Sequence, residues 1–264
     1  MINIVNDESI KFLINLAVEA GKLIKLQTKK MVNMKDDQSP LTTADIISNE
    51  LIIEGLEKKY KDIPIVSEEI DNIESGITNF FLIDPLDGTK EFLNGTKEYT
   101  VNIAYISNRI PLIGVVYVPE FEHLYWTNGK SSFFKKNKEI FNLKKFKQDI
   151  DYYNVELSRT HVDEETMNFV NKIFPKKKSF SGSSLKICNL CNGDSNLYPR
   201  FGRTMEWDTA AGHAILKNLG GEIFCKNGER LVYSKKNFQN PAFIAISCQF
   251  IPENLRKILS VNNN

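Results

Sequence analysis

The amino-acid sequence is poor in cysteine and histidine and has no long hydrophobic run. Its 264 residues include four cysteines and three histidines. No stretch reaches the ~20 apolar residues of a membrane-spanning helix, so we expect none. The polar, acidic first eight residues predict no secretory signal peptide. With 34 basic and 33 acidic side chains, the net charge is only +1. This balance argues against binding of nucleic acid, which needs an electrostatic surplus.

The few cysteines and histidines offer little for a zinc site. Cys188 and Cys191 form a single Cys-x-x-Cys pair without a second pair or nearby histidines. We interpret them as half-buried thiols on one face of a helix. So few cysteines in a chain of this length predict free thiols in a reducing compartment. We therefore expect a cytoplasmic protein, with peripheral contact at the inner face of the membrane left open. His123 and His161 have no partners for a metal site or a triad.

The composition is that of a globular protein, with 42% hydrophobic and 25% charged residues. The length allows one large domain or two moderate ones. The lysine-rich stretch 135–148 resembles a boundary. We therefore predict an N-terminal α+β half over 1–148 and a C-terminal α/β half over 149–264, whereas the lysines at 176–178 are interpreted as a solvated loop.

Apolar periodicity predicts two N-terminal helices, a mostly antiparallel sheet, and then alternating strands and helices. Asn128-Gly129 marks a hairpin between two of the strands. The predicted helices cover about 8–29, 42–60, 164–174, 184–192 and 207–219, with a last one from 252. The predicted strands cover 63–67, 80–84, 99–105, 110–118, 124–127, 131–135, 152–158, 196–198, 222–225 and 243–247.

One apolar run ends in two aspartates, Asp84 and Asp87. Carboxylates at the mouth of a strand can bind hard cations through oxygen. Pro85 stiffens the backbone between them. Gly88 lets N–H groups approach an anion, and Thr89 adds a hydroxyl. This pattern suggests a metal-dependent site for a phosphorylated substrate, although most Asp-Pro turns are only polar turns.

Three further acidic positions lie at predicted element ends. Asp45 is in the first turn of a helix, Glu68 and Glu69 follow a strand, and Asp208 begins a helix rich in small residues. Alone, Asp45 and Asp208 would be interpreted as favourable to the helix dipole or as caps, and the glutamates as a surface pair. All four features in one chain favour a shared site.

These motifs resemble those of the inositol monophosphatase superfamily of metal-dependent, lithium-sensitive phosphatases. The shared motifs are Ser-Glu-Glu at 67–69, Asp-Pro-Leu-Asp-Gly-Thr at 84–89 and Trp-Asp at 207–208. Within the superfamily the chain is most similar to the 3′(2′),5′-bisphosphate nucleotidases of the CysQ type. The motifs that carry this similarity are Lys-Glu-Phe at 90–92, Ser-Gly-Ser-Ser-Leu-Lys at 181–186, Leu-Tyr-Pro-Arg-Phe-Gly-Arg at 197–203 and Asp-Thr-Ala-Ala-Gly-His-Ala at 208–214.

The resemblance implies a layered α/β/α/β/α sugar-phosphatase fold with the site in the cleft between the two halves. It implies two to three Mg²⁺ ions. Glu68, Asp84 and the Leu86 carbonyl would hold the first ion, and Asp84, Asp87 and Asp208 the second. A third, weaker ion would lie near Glu68 through water. Such cations would relieve the repulsion among crowded carboxylates.

The resemblance also implies the catalytic groups, Asp45, Thr89 and Glu68. Thr89, hydrogen-bonded to Asp45, would orient the attacking water and help to take its proton. The backbone N–H groups of Gly88 and Thr89 would cradle the phosphate.

The implied reaction is hydrolysis of adenosine 3′,5′-bisphosphate to AMP and phosphate, with 3′-phosphoadenylyl sulfate as a second substrate. Inositol monophosphatase or fructose-1,6-bisphosphatase activity is the alternative, and a non-catalytic binding protein on the same scaffold is another. We expect a monomer or homodimer without a nucleic-acid partner.

For Arg200, a structural ion pair is the alternative to a role in substrate binding. Arg203, a weaker candidate, stands where many similar chains carry proline. The substrate-binding residues would be Ser183, Ser184, Lys186, Arg200 and Asp208, with Gly88 and Thr89.

Overall fold

The computed structural model describes residues 4–27, 32–34, 40–70, 76–146, 152–248 and 251–260. The predicted boundary between 148 and 149 lies outside these ranges, so the division into two halves stays a prediction. Within them, no helix combines the length and apolar character needed to cross a bilayer.

Seven α-helices and fourteen strands are formed by the described residues. The helices are α1 (Asp7–Leu26), α2 (Thr43–Lys59), α3 (Thr89–Leu93), α4 (Glu164–Lys172), α5 (Leu185–Asn192), α6 (Ala210–Asn218) and α7 (Glu253–Ser260). The strands are β1 (Val32–Met34), β2 (Pro40–Thr42), β3 (Ile65–Ser67), β4 (Phe80–Asp87), β5 (Thr100–Ser107), β6 (Ile110–Val118), β7 (His123–Thr127), β8 (Ser132–Lys136), β9 (Glu139–Asn142), β10 (Asn154–Ser158), β11 (Lys177–Ser181), β12 (Leu197–Arg200), β13 (Glu222–Cys225) and β14 (Phe243–Ile246).

Most strands belong to two separate sheets. The larger has seven strands in sequence order, β3 to β9, and only its β3–β4 pair is parallel. The smaller has five strands in the order β11-β10-β12-β14-β13. Its β10 pairs in parallel with both β11 and β12, and the other two pairs are antiparallel. The chain thus completes the large, mostly antiparallel sheet before it builds the small one.

Three apolar clusters define the order of the layers. The first joins α1 and α2 to one face of the large sheet through Phe81 and Ile83. Phe80 and Leu82, which alternate with them along β4, face α5, α6 and the small sheet in the second cluster. The third joins the opposite face of the small sheet to α4 and α7. The layers are therefore α/β/α/β/α, and the predicted layered fold is confirmed.

Close packing of α6 against β6 depends on one glycine. A side chain at Gly114 would overlap the backbone carbonyl of Ala211, in the first turn of α6. Because neither backbone can move without disturbing its own hydrogen bonds, only glycine fits at this position. The contact brings the start of α6, and with it the preceding Asp208, toward the centre of the large sheet.

Several predicted elements differ from the observed ones. The Lys-rich run at 176–178 was interpreted as a loop, but residues from Lys177 onward form the edge strand β11. Strand β9, at Glu139–Asn142, was not among the predicted strands. The helix predicted over 207–219 is a 3₁₀ turn at Glu206–Asp208 followed by α6. Cys188 and Cys191 are fully buried rather than half-buried, because α5 lies between the two sheets.

Candidate active site

Asp84 and Asp87 reach the same cleft because β4 contains a β-bulge. The strand was predicted to end at Asp84, but it pairs with β5 as far as Asp87. Asp84 lies opposite Asn102 and Asp87 opposite Thr100, with a register shift between the two pairs. In a regular strand, residues three apart point to opposite faces, whereas the extra residue of a bulge re-aims the side chain that follows it. The bulge therefore explains the spacing of the two aspartates.

Asp208 approaches these aspartates from a tightly anchored turn. Its Oδ2 accepts a hydrogen bond of 2.8 Å from Met205 N. The turn begins at Glu206, which is completely buried and accepts hydrogen bonds from the backbone N–H groups of Ser234 at 2.6 Å and Lys235 at 2.8 Å. The Lys235 ammonium lies 2.7 Å from the same carboxylate. A buried ion pair that also satisfies backbone donors holds the Asp208 turn in one position.

Asp84, Asp87 and Asp208 form a cluster suited to a hard cation. One carboxylate oxygen from each lies within 4.8 Å of the others. Glu68, which follows β3, lines the same cleft. Carboxylate oxygens are the ligands that Mg²⁺ prefers, so the donor set fits the predicted magnesium site.

The electrostatics of the cluster indicate the same fit. Burial, together with the charges of Glu68 and Asp87, raises the pKa of Asp84 well above its usual value. Burial, followed by the charges of Asp87 and Glu68, raises the pKa of Asp208 to about 8. Without a cation, the cluster therefore holds protons that ordinary carboxyl groups would release at neutral pH.

The raised pKa values predict how stability depends on pH. In the unfolded chain Asp84 and Asp208 release their protons near pH 4, whereas in the folded, metal-free protein Asp208 does so only near pH 8. Their contribution to stability is therefore present at acidic pH and is lost as the pH rises toward 8. When the pH is raised from 5.5 to 8 in EDTA, we expect the Tm of the wild type to fall by a few degrees more than the Tm of Asp208→Asn.

Added Mg²⁺ should raise the Tm of the wild type more at pH 8 than at pH 5.5, because the cation competes with protons for the same oxygens. Differential scanning fluorimetry at matched ionic strength measures both effects. A parallel pH dependence in wild type and Asp208→Asn would contradict this assignment.

Thr89 and Asp45 form the second part of the site. The Thr89 hydroxyl donates to Asp45 Oδ1 at 3.1 Å, with the Leu86 carbonyl as a second acceptor at 3.3 Å. Asp45 is buried, and its other oxygen accepts hydrogen bonds from the N–H and hydroxyl of Thr42. Thr42 and Asp45 are thus the two members of a capping box at the start of α2. The N-cap residue of α2, Thr42, therefore also fixes the carboxylate that accepts the hydrogen bond of Thr89.

Gly88 joins β4 to α3 in a left-handed conformation, with φ of 94°. Such a backbone favours glycine. A Cβ at this position would lie 3.3 Å from the Glu98 carbonyl and 3.4 Å from the Ser183 side chain. Glycine therefore allows the turn, with Thr89 as its next residue, to lie directly against the start of α5.

The cationic wall of the cleft contains Lys186 and Arg200. Lys186 is buried and donates to the Ser183 carbonyl at 2.5 Å. Burial lowers its pKa, an effect partly offset by the charge of Asp87. The Arg200 guanidinium donates to the carbonyls of His161 and Arg203, and no ion pair joins it to a described carboxylate. The structural contacts of Arg200 are therefore hydrogen bonds to backbone rather than an ion pair.

All but one of the predicted site residues line a single cleft of about 410 Å³. The exception is Asp45, which contacts the cleft through Thr89. His213, in α6, is buried and hydrogen-bonds to Glu222 and Tyr233. The predicted residues that line the cleft are Glu68, Asp84, Leu86, Asp87, Gly88, Thr89, Ser183, Ser184, Lys186, Arg200 and Asp208.

Sequence reasoning missed two residues beside Asp87. Thr100 and Asn102 on β5 are almost completely buried and hydrogen-bond to its Oδ2. The sequence feature that could have revealed them is their polarity within an otherwise apolar strand, because a buried polar side chain needs a hydrogen-bond partner. Lys90 and His161, 3.2 Å apart at the rim of the cleft, were also not predicted as site residues.

Comparison with known proteins agrees with this geometry. The family model "Inositol monophosphatase family" matches residues 5–253. The chain is 40% identical over 216 residues to the 3′(2′),5′-bisphosphate nucleotidase CysQ of Salmonella typhimurium, covering 79% of this chain and 86% of the relative. It is 40% identical over 247 residues to the protein of that name from Buchnera aphidicola, covering 87% and 90%.

Solved structures show the same fold. The crystal structure of CysQ from Bacteroides thetaiotaomicron, described as a bacterial member of the inositol monophosphatase family, is 31% identical with a TM-score of 0.80 and covers 94% of this chain and 100% of its own. The Thermotoga maritima IMPase TM1415, at 22% identity and a TM-score of 0.79, covers 96% and 97% and shows the likeness of fold alone. The chain belongs to the inositol monophosphatase family.

Proposed function

We propose that the protein is a Mg²⁺-dependent phosphatase that removes the 3′-phosphate of adenosine 3′,5′-bisphosphate. The observation that carries the proposal is the placement of two opposite charge clusters in one cleft. Asp84, Asp87 and Asp208 form the acidic cluster, and Lys186 and Arg200 line the same cavity. A substrate with two phosphates can use both, the scissile group at the acidic cluster through cations and the other group at the basic wall.

The relatives support the choice of substrate. The Salmonella and Buchnera proteins carry the name 3′(2′),5′-bisphosphate nucleotidase, and each match covers more than three quarters of both chains. The same reasoning extends to 3′-phosphoadenylyl sulfate, which carries a comparable 3′-phosphate.

Mg²⁺ would be held by Glu68, Asp84, Asp87, Asp208 and the Leu86 carbonyl, and would supply charge stabilisation for the phosphoryl group and a more acidic water. The protein's own part is to orient that water and accept its proton. Because the Thr89 hydroxyl donates to Asp45, its oxygen lone pairs remain available to accept a hydrogen bond from the water. Asp45 thus fixes the direction of the Thr89 hydroxyl.

The Gly88–Thr89 turn lies at the N-terminus of α3 beside the acidic cluster. Its backbone N–H groups would donate to the non-bridging oxygens of the phosphate, where negative charge must be balanced during the reaction. No covalent bond between protein and phosphate is needed.

We propose a cytoplasmic setting for the enzyme, which the state of its thiols supports. The four cysteines form no disulfide, and three of them are buried. This is the state expected in the reducing cytoplasm, where we place the activity.

Phosphate release tests the proposal directly. We expect purified protein to release phosphate from adenosine 3′,5′-bisphosphate with Mg²⁺ present, to lose that activity in EDTA, and to be inhibited by Li⁺. Inositol 1-phosphate, which has no second phosphate for the basic wall, should be hydrolysed at least ~10-fold less efficiently, since one good charge-assisted contact contributes about 1.5–3 kcal/mol. Fructose 1,6-bisphosphate does carry two phosphates, so slower hydrolysis of this sugar would show that the cleft also selects the nucleoside part of the substrate.

Faster turnover of inositol 1-phosphate would replace this substrate assignment with the alternative phosphatase activity. Hydrolysis at an unchanged rate in EDTA, after removal of bound metal, would contradict the proposed metal dependence.

A further inference from the structure

The two oxygens of the Asp87 carboxylate have different surroundings. Oδ2 accepts hydrogen bonds from Ser184 Oγ at 3.0 Å and Asn102 Nδ2 at 3.2 Å, with Thr100 Oγ1 at 3.4 Å. The described residues donate no hydrogen bond to Oδ1. The protein thus satisfies one oxygen and leaves the other for a ligand on the cleft side.

Asn102 is the donor to Oδ2 with the fewest alternatives. Its amide nitrogen also donates to Ser184 Oγ at 2.8 Å, so both N–H bonds are used. Its Oδ1 lies 3.0 Å from Thr100 Oγ1, for whose single hydrogen Asp87 Oδ2 and Ser183 Oγ also compete. The opposite amide orientation would direct Oδ1 at a carboxylate, so these partners fix the orientation of the side chain. Asn102 is only 1% exposed, and water cannot replace it.

The Asn102 contacts also connect parts of the chain that are far apart in sequence. Asn102 and Thr100 belong to β5, whereas Ser183 and Ser184 precede α5. Thr100 Oγ1 lies 2.6 Å from Ser183 Oγ, which donates to the Asp87 backbone carbonyl at 3.0 Å. Ser184 Oγ also lies 3.0 Å from the Asp208 carbonyl.

The single hydrogen of the Ser184 hydroxyl can be given to only one acceptor at a time, either Asp87 Oδ2 or the Asp208 carbonyl. The amide of Asn102 has no such choice. The Asn102 amide therefore holds both Asp87 and Ser184, the serine that links Asp87 to the Asp208 turn.

We propose that Asn102 is a positioning residue that reserves one oxygen of Asp87 for the metal and sets the separation of Asp87 from Asp208. The inference rests on the metal site of the proposed function. Partners that orient ligand side chains typically account for about 10–100-fold in metal affinity. Ser184 acts in the same unit, which gives its hydroxyl a role beyond the substrate contact predicted from the sequence.

Binding of Mn²⁺, followed by the electron paramagnetic resonance signal of the free ion, tests this role apart from catalysis. We expect Asn102→Leu to raise the Kd for Mn²⁺ about 10–100-fold, because Oδ2 then lacks a donor and the carboxylate can rotate. Ser184→Ala should raise it in the same direction. The double variant should fall well short of the product of the single effects, since the two groups form one network.

Ser132→Ala is the matched control. The buried Ser132 hydroxyl donates to the Ile215 carbonyl at 3.0 Å, outside the cleft. The variant therefore loses a similar hydrogen bond, but its Kd for Mn²⁺ should stay within about twofold of the wild-type value. In assays, Asn102→Leu should shift the half-saturating Mg²⁺ concentration by a larger factor than kcat at saturating Mg²⁺.

Wild-type Mn²⁺ affinity in folded Asn102→Leu would overturn the inference and leave the metal site in place. If Asn102→Leu does not fold by circular dichroism, Ser184→Ala decides, and unchanged affinity in that variant overturns the inference. Failure of the wild type to bind Mn²⁺ would overturn the metal site and the inference together.

Discussion

Asp87→Asn is expected to lower kcat for adenosine 3′,5′-bisphosphate at least about a thousandfold, which corresponds to about 4 kcal/mol of transition-state stabilisation. The amide has nearly the shape of the carboxylate but lacks its charge. One of the three clustered oxygens would then be a weak ligand for a hard cation. The donors that now satisfy Oδ2, Asn102 Nδ2 and Ser184 Oγ, would hold the amide oxygen, so the NH₂ group, which cannot bind a cation, would face the cleft. Both effects act in the same direction.

Steady-state phosphate release over a range of Mg²⁺ concentrations, together with Mn²⁺ binding, measures the loss. Asp194→Asn makes the same chemical change at an exposed position after α5, outside the cleft, and should keep kcat within about twofold, as surface substitutions usually do. Turnover of Asp87→Asn within tenfold of wild type at saturating Mg²⁺ would remove Asp87 from the metal site.

The layered fold was accessible from the sequence because its strands alternate cleanly. In β4, Phe81 and Ile83 face one helical layer, and Phe80 and Leu82 face the other. Edge strands gave a weaker signal. All four residues of β9 are exposed, so no apolar pattern marked it, and the lysines at the start of β11 are typical of a solvated edge. Edge pairing depends on backbone hydrogen bonds that leave little trace in residue type.

The site residues were accessible for a different reason. Recognised motifs named the candidate ligands, but not the bulge that turns Asp87 toward Asp84 or the turn that carries Asp208. Those features depend on tertiary partners such as Glu206 with Ser234. The same holds for Asn102, because its contact with Ser184 joins residues 82 positions apart. Local sequence patterns do not contain such long-range pairs.

Asp45→Asn and Thr89→Ala are each expected to lower kcat about 10²–10³-fold, within the range of a positioned proton acceptor. In Asp45→Asn the Thr89 hydroxyl loses the carboxylate that receives its proton. In Thr89→Ala the attacking water loses its hydrogen-bond acceptor. KM should change little, because neither side chain is needed to hold the ground-state phosphate. Single-turnover phosphate release at saturating Mg²⁺ isolates the chemical step.

The double variant distinguishes a paired role from two separate ones. If Thr89 acts only with its proton directed to Asp45, removing both groups should cost about as much as removing one, since groups that act as a unit are not additive. Thr89→Ser keeps the hydroxyl and should retain most of the wild-type kcat. Because Asp45 also belongs to the capping box of α2, its variant should lose some Tm, whereas Thr89→Ala should not lose that cap. Equal losses of kcat in the two single variants, despite unequal losses of Tm, would therefore assign the loss of kcat to proton transfer. A double variant that retains more than a tenth of the wild-type kcat would exclude a role of Thr89 and Asp45 in proton transfer.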